Sequence, residues 1–314
     1  MVLNKYKTIA LMSLIGLFGL FQSCLPVTSA LPNVTEISDN VNLDLTQYMV
    51  ELINKDRSDN NSPPVVLGTN SAAQQHADDM LANYYLSHWG TDGLKPYMRY
   101  TRAGGINYES ENSAYHGWYD NSDDPNRYEI IDLKEVLKQL QYNMMYDDAD
   151  SNWGHRNTIL DKMNRKVNIG IAFDKHRLAL VQQFEGDYVV FTQLPAIVNG
   201  KLYLAGNLNL GDVYSVHIFF DSLPQSLGQQ QLLDKPHYYD IGEEIGYVLP
   251  PKYRMEGTDY VNATKWKTDS GGSFEIEANI SPLLKYPKGV YNICLVASVH
   301  DEPVSLTNYS LFIR

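Results

Sequence analysis

The sequence predicts an α+β protein of two domains, with helices first and short strands filling the second half. Apolar residues recur at helical spacing in the segments 43–55, 71–85 and 131–146. After Asn164 the pattern changes to short runs rich in β-branched and aromatic residues, and no long helical period appears beyond Lys201. The 314 residues are enough for two domains, each with its own hydrophobic core.

The first thirty residues have the pattern of a secretory signal peptide. Lys5 and Lys7 precede an apolar run over residues 9–21, and the small residues Thr28 and Ala30 follow it. We therefore expect cleavage after Ala30 and a secreted or cell-surface protein. An uncleaved anchor is the weaker alternative, because the apolar run is short for a membrane span.

Two cysteines, Cys24 and Cys294, are present in the whole chain. Cys24 follows the apolar run and leaves lipidation as a further alternative, although residues 21–23 are a poor acylation motif. Cleavage after residue 30 removes Cys24, so that no internal disulfide can form. Cys294 lies in an apolar strand pattern over residues 290–296 and is predicted to be a buried thiol.

The chain is acidic, with a formal net charge of −12. Loss of the two signal-peptide lysines makes it −14, since residues 1–30 contain no acidic side chain. Such a surface repels phosphates and anionic headgroups, and no basic run offsets it. We therefore expect no nucleic-acid partner, and no transmembrane segment in the mature chain.

A compact domain is predicted over residues 42–195, after a short linker over residues 31–41. Its helices are the three apolar-periodic segments, and the polar stretch 115–127 is predicted as a loop. Three β-rich runs are expected to form adjacent antiparallel strands; they cover residues 167–173, 177–184 and 188–192.

The second domain is predicted over residues 200–314, with a boundary near Asn199 and Gly200. Short alternating strands separated by turns over about a hundred residues are typical of an immunoglobulin-like β-sandwich. Its tyrosines, including Tyr238, Tyr239 and Tyr247, are candidates for an interaction surface. Glycosylation is possible at five sequons, which lie at Asn33, Asn60, Asn262, Asn279 and Asn308.

Three short stretches carry the candidate chemistry: residues 85–88, 110–112 and 154–160. They supply the imidazoles of His88 and His155 and the carboxylate of Glu111. Two neutral imidazoles can hold Zn²⁺, and a nearby carboxylate can orient a histidine or accept a proton. His76, on a helix beside alanines, is interpreted as a packed histidine.

The order of these stretches resembles that of the CAP superfamily, which includes cysteine-rich secretory, antigen-five and pathogenesis-related proteins. The matching motifs cover about half of the chain; they are Ala72–Met80, Ser87-His88, Asp92-Gly93, Pro96, Glu111-Asn112, Gly154–Leu160 and Asn168–Ala172. The scarcity of cysteine is similar to the prokaryotic branch, the SCP-like domains. The resemblance implies an α-β-α sandwich with an antiparallel sheet between helical layers.

The resemblance also implies a cavity with two histidines and two acidic residues. Three of these positions match His88, Glu111 and His155. Asn143 stands where many members have the second acid, and Asp147 is a possible replacement. His88 and His155 are the expected metal ligands, with zinc as the possible cofactor.

Three functions remain open from the sequence. The first is extracellular binding of a small apolar or lipid ligand, a surface component or a protein through the cavity of His88, Glu111, His155 and Asn143. The second is a zinc-dependent hydrolase with Glu111 as base or orienting group, and the third is adhesion through the β-domain on a CAP scaffold. A missing second acid argues against an enzyme.

Overall fold

The computed structural model describes residues 39–118 and 132–314. The predicted signal peptide, Cys24 and most of the linker lie outside these residues, as does most of the predicted loop. In the described part of the chain, no helix is long and apolar enough to cross a membrane.

The described residues of the first unit form five α-helices and a four-stranded sheet. The helices are α1 (Asp39–Asp59), α2 (Ala72–Asn83), α3 (Pro96–Arg102), α4 (Leu133–Tyr146) and α5 (Gly154–Leu160). The strands are β1 (Val66–Leu67), β2 (Glu109–Gly117), β3 (Lys166–Phe173) and β4 (Arg177–Glu185). Their order in the sheet is β1-β3-β4-β2, so that β2 is an edge strand. The three predicted helices are confirmed as α1, α2 and α4.

The alternating side chains of β3 explain the two helical layers. Ile169 and Ile171 point into the core shared with α1, α4 and α5. Ala172 points to the other face, against α2. A Cβ atom on Gly170 would lie 2.1 Å from the carbonyl oxygen of Ala73, so only glycine allows α2 to pack this closely. The predicted α-β-α sandwich is confirmed.

The second unit consists of two packed sheets. Its strands are β5 (Val189–Val198), β6 (Lys201–Leu208), β7 (Asp212–Asp221), β8 (Glu243–Leu249), β9 (Tyr260–Asn262), β10 (Lys265–Thr268), β11 (Ser273–Asn279), β12 (Gly289–Val299), β13 (Glu302–Ser305) and β14 (Tyr309–Ile313). One sheet has the order β10-β11-β6-β5; the other has the order β13-β12-β7-β8-β9, with β14 also pairing with β12. The two sheets share one core, which includes Leu204, Ile218, Ile276 and Ile293. Cys294 is buried on β12, where burial raises the pKa of its thiol.

The predicted third strand of the first sheet is wrong. Residues 189–198 form β5, which pairs antiparallel with β6 of the second unit. The edge of the first sheet is formed instead by β2, which pairs with β4. The Glu185-Gly186-Asp187 turn looks like a hairpin in sequence, but the chain passes there from one sheet to the other. The junction therefore lies near residues 186–188 rather than near Asn199 and Gly200.

A segment of the second unit packs across the first. We call residues 222–242, between β7 and β8, the bridging segment; it contains the short helix α6 (Gln229–Leu233). Leu232 is fully buried among the apolar side chains of α2. The amide of Leu227 donates to the carbonyl oxygen of Thr91 over 2.8 Å.

The C-terminal strands also contact the first unit. The side chain of Asn308 accepts from the amide of Glu109 over 3.2 Å and donates to its carbonyl oxygen over 3.0 Å. Asn308 is 3% exposed. A buried, doubly bonded amide has no room for a glycan, so this predicted sequon is not usable in the folded chain.

Candidate functional site

The residues that the family resemblance assigns to a cavity gather at the β2 edge of the first sheet. Consecutive residues of a strand point to opposite faces of the sheet, so the side chains of Glu111 and Asn112 point toward different helical layers. His88, in the loop between α2 and α3, meets Glu111, with its Nδ1 atom 2.9 Å from Oε1. His155, on α5, is in contact with Asn112 on the opposite face of the strand: the side-chain amide of Asn112 donates to the carbonyl oxygen of His155 over 3.2 Å. The three matched residues thus surround one edge.

Glu111 is a buried carboxylate with several polar partners. Its Oε2 atom accepts from the guanidinium of Arg99 over 2.7 Å, while Oε1 accepts from His88. The Nε2 atom of His76 lies 3.9 Å from Oε1. Burial by itself raises the pKa of Glu111, but Arg99, His76 and His88 outweigh it and lower the pKa to about 2. Glu111 is therefore an ionised carboxylate that is already neutralised by the protein.

The two histidines near Glu111 are held as neutral rings. Burial lowers the pKa of His88, and the hydrogen bond to Glu111 offsets this only in part. Burial, followed by the charge of Arg99, lowers the pKa of His76 to about 4. The Nε2 atom of His76 lies 2.8 Å from the carbonyl oxygen of Ser87. Because Glu111 is ionised, the Nδ1 atom of His88 carries the proton between them.

His155 forms a second histidine–carboxylate pair. Its Nδ1 atom lies 2.6 Å from Oδ1 of Asp148. The other oxygen of Asp148 accepts from the amide of Arg156 over 3.1 Å, and the hydroxyl of Ser151 donates to Oδ1. The Nε2 atom of His155 is buried and has no hydrogen-bond partner among the described residues.

Asn143 is not brought to these histidines by any described hydrogen bond. Its side chain accepts from Gln139 over 2.7 Å on the exposed side of α4. Asp147, the alternative replacement, is exposed at the end of α4. The second carboxylate at the site is Asp148, five positions after Asn143. A turn of 3₁₀-helix over Ala149–Ser151 separates α4 from α5 and directs Asp148 inward.

Tyr239, from the bridging segment, covers the His88 side of the cavity. The amide of Glu111 donates to its hydroxyl over 2.9 Å, and its ring lies 4.8 Å from the His88 ring, centroid to centroid. Tyr239 is therefore partly buried, with its hydroxyl at Glu111 and its ring against His88. His88 is fully buried, whereas His155 is 5% exposed. His155 is therefore the more accessible of the two histidines.

Arg99, Asp148 and Tyr239 are site residues that sequence reasoning missed. Arg99 stands on the short helix that follows Pro96, and no local pattern links it to Glu111. Asp148 directly follows Asp147, the residue that the sequence offered as the second acid. The geometry of the turn, which the sequence does not show, decides which of the two faces His155. Tyr239 was a candidate for an interaction surface, but it is distant in sequence and no pattern links it to Glu111.

The donor set does not fit a catalytic zinc site with three protein ligands. Both histidines have the Nδ1-to-carboxylate contact that orients metal-bound imidazoles. However, the described residues contain no group of three or more His, Cys, Asp or Glu side chains that could hold a metal ion. Glu111 and Asp148 are engaged with the histidines. We therefore derive no hydrolytic step through a metal.

Comparisons with known proteins find a family match and similar solved structures, two of which are bacterial. The Cysteine-rich secretory protein family (CAP) matches residues 50–189. An extracellular protein containing a SCP domain from Bacillus anthracis str. Ames is 20% identical, with 49% of this chain and 45% of that chain covered and a TM-score of 0.36. The CAP domain of Enterococcal PrgA is 16% identical, with 48% of this chain and 64% of that chain covered and a TM-score of 0.33. In both cases the match spans less than two thirds of the solved chain, and no curated protein sequence matches.

Proposed function

We propose that this chain, whose residues 50–189 match the Cysteine-rich secretory protein family (CAP), is an exported binding protein whose ligand contacts His88, Glu111 and His155. The signal-like first thirty residues support export. The ligand is a component of a cell surface or a protein outside the cell.

The observation that carries this proposal is the buried Nε2 atom of His155, which lacks a partner among the described residues. A buried polar atom without a hydrogen bond costs about 1–3 kcal/mol, so a ligand group that reaches it gains that energy. When the ring carries one proton and donates it from Nδ1 to Asp148, Nε2 is an acceptor. The ligand group is therefore a donor, such as a hydroxyl, an amine or an amide N–H.

This requirement favours a polar ligand over an apolar one. The other groups of the cavity, Glu111, Arg99 and His88, are charged or polar and bound to one another. A purely apolar or lipid molecule would leave the His155 nitrogen unsatisfied. A surface polymer or a protein side chain supplies the donor.

A zinc-dependent hydrolase is the second candidate, and the same nitrogen favours it, since an unprotonated Nε2 is a metal donor. Two features weigh against it. His88 and His155 are two donors where a catalytic zinc site ordinarily has three. Glu111, with a pKa lowered to about 2, is a poor general base near neutral pH.

Co-sedimentation tests the binding function. The chain from residue 31 is mixed with the insoluble envelope fraction of the source cells, and in parallel with phosphatidylcholine vesicles. We expect sedimentation with the envelope and not with the vesicles, and loss of it in His155→Ala. The matched control is His176→Ala, an exposed histidine on the β3–β4 turn. Equal sedimentation of His155→Ala and the parent contradicts the proposal.

Calorimetric titration with zinc tests the second candidate. One-to-one binding that disappears in both His88→Ala and His155→Ala would support a metal site and call for a screen of hydrolytic substrates. Absence of binding, with both variants folded, removes the hydrolase and leaves the binding function.

A further inference from the structure

A second pocket lies beside α5, outside the His–Glu cavity. Its volume is about 680 Å³, and its lining residues are Tyr146, Asn152, Trp153, Arg156 and Asn157. This volume is in the usual range for small-molecule sites. Arg156 and Asn157 lie in the Gly154–Leu160 motif, but none of the five residues is one of the cavity positions that the family resemblance implies.

Aromatic rings are exposed at this pocket. Trp153 and Tyr146 are each 42% exposed. Tyr142 is 54% exposed, and its ring centroid lies 5.3 Å from that of Tyr146. Single exposed aromatic residues are ordinary, but three on one small surface offer flat apolar faces to a ligand.

The backbone holds Trp153 in an unfavourable conformation. Its φ is +61°, and that of the preceding Asn152 is +52°, both in the left-handed region. A bulky side chain is rarely found there, because Cβ approaches the carbonyl oxygen. Two hydrogen bonds fix the turn: the amide of Trp153 donates to Asp148 over 3.0 Å, and that of Asn152 donates to Ala149 over 3.0 Å. The fold thus maintains strain that keeps the indole outside the core.

Of the polar side chains in the pocket, that of Arg156 is already hydrogen-bonded within the protein, while those of Asn152 and Asn157 are available to a ligand. Arg156 donates to the carbonyl oxygen of Met145 over 2.8 Å and to Oδ1 of Asn60 over 2.7 Å, with its guanidinium 5.8 Å from the Tyr146 ring centroid. It therefore positions Tyr146. The side-chain amides of Asn152 and Asn157 are exposed and make no hydrogen bond with other described residues. Each can both donate and accept.

We propose that this pocket binds a neutral oligosaccharide. A pyranose ring has an apolar face of C–H groups that stacks on an aromatic ring, and its hydroxyls both donate and accept, as carboxamides do. Trp153 and Tyr146 supply the faces, and Asn152 and Asn157 supply the amides. The exposed carboxylates of Asp147 and Asp150 nearby, together with a net charge of −12, disfavour an anionic ligand.

Calorimetry of the chain from residue 31 with cellotetraose, chitotetraose and maltotetraose tests the proposal. We expect saturable one-to-one binding of at least one of them. Trp153→Ala and Tyr146→Ala each weaken it by about tenfold or more, as expected for central aromatic contacts. Tyr253→Ala, which removes a tyrosine of the second unit that is 44% exposed, leaves it unchanged. Failure of all three sugars to bind, or undiminished binding in Trp153→Ala, overturns the proposal.

Trp153→Gly separates recognition from folding. Glycine tolerates a φ of +61°, so this variant relieves the strain while it removes the indole. We expect its melting temperature to be equal to or above that of the parent and sugar binding to be lost. Retained binding would overturn the proposal. The outcome is independent of the proposed cavity function, which His155→Ala tests by envelope sedimentation.

Discussion

The backbone amide of Glu111 donates to the hydroxyl of Tyr239 over 2.9 Å, although 128 positions separate the two residues. Both units therefore contribute residues to the site, since Glu111 belongs to the first sheet and Tyr239 to the bridging segment of the second unit. The centre of the site is also a contact between the two units.

Tyr239→Phe removes the acceptor for the Glu111 amide and keeps the ring against His88. A buried amide left without a partner costs about 1–3 kcal/mol. We expect the free energy of unfolding, measured with urea, to fall by that amount. Tyr238→Phe is the matched control, because the neighbouring tyrosine is 39% exposed. Equal stability of the two variants would contradict the importance of this contact.

Arg99→Met leaves the Glu111 carboxylate buried without its strongest positive partner. Loss of one member of a buried ion pair costs about 3–5 kcal/mol, and we expect a fall of that size in the free energy of unfolding. Arg102→Met, an exposed arginine on the same helix, is the control and should change it little. Adding Glu111→Gln to Arg99→Met should restore part of the loss, since the unpaired charge is then gone. A double variant no more stable than Arg99→Met would contradict this explanation.

Asp148→Asn should change the protonation of the His155 ring. In the parent, Asp148 faces Nδ1 at 2.6 Å and keeps the proton there. An amide can donate to Nδ1 as well as accept from it, so we expect a mixture of tautomers. Histidine ¹⁵N chemical shifts measure this directly. The exposed neighbour Asp147→Asn should leave the His155 signals unchanged; a shift of equal size in both variants would argue against the pair.

Glu109 should make stability depend on pH. It is 2% exposed, and burial, aided by the charge of Glu111, raises its pKa well above the usual range, although Arg99 and Gln183 act in the opposite direction. An acid whose pKa is raised by folding stabilises the folded state below its unfolded pKa and loses this contribution as pH rises through the folded pKa. We expect the free energy of unfolding to decline from about pH 4.5 upward through the neutral range on account of this group.

The control for that pH dependence is Glu109→Gln, which cannot ionise. Its stability should decline less with rising pH than that of the parent, with the larger gain at the alkaline end. Glu302→Gln, at an exposed site on β13, should follow the parent curve. Parallel curves for Glu109→Gln and the parent would show that Glu109 does not ionise in this range.

The sequence was most informative where periodicity is local. α1, α2 and α4 carry apolar residues at helical spacing, and His88 and Glu111 could be paired through the family motifs. β2 was missed because its sequence, Glu-Ser-Glu-Asn-Ser-Ala-Tyr-His-Gly, is polar. Residues distant in sequence form the hydrogen bonds of those polar side chains, as Arg99 does for Glu111. Such partners cannot be predicted from the sequence of the strand itself.

The second acid and the covering tyrosine were missed for different reasons. Asp148 replaces Asn143 because a short 3₁₀ turn changes which residue faces His155, and one or two positions decide the outcome there. Tyr239 reaches the site through long-range packing. The composition of residues 222–242 does not predict its contact with Glu111 and His88. Residues 189–198 belong to the second sheet for a local reason, because β5 forms a hairpin with β6 through Asn199 and Gly200.

The bridging segment is synthesised after the first unit and can cover it only late in translation. The last strand of the first unit, β4, ends at Glu185, which is 54 residues before residue 239. At ordinary rates of translation these 54 residues take roughly 3 to 11 seconds. During this time the first unit already contains His88 and His155, while Tyr239 has not yet been added to cover His88. The newly made first unit therefore has an uncovered apolar helix and an open cavity, and the second unit acts as its late-arriving cover.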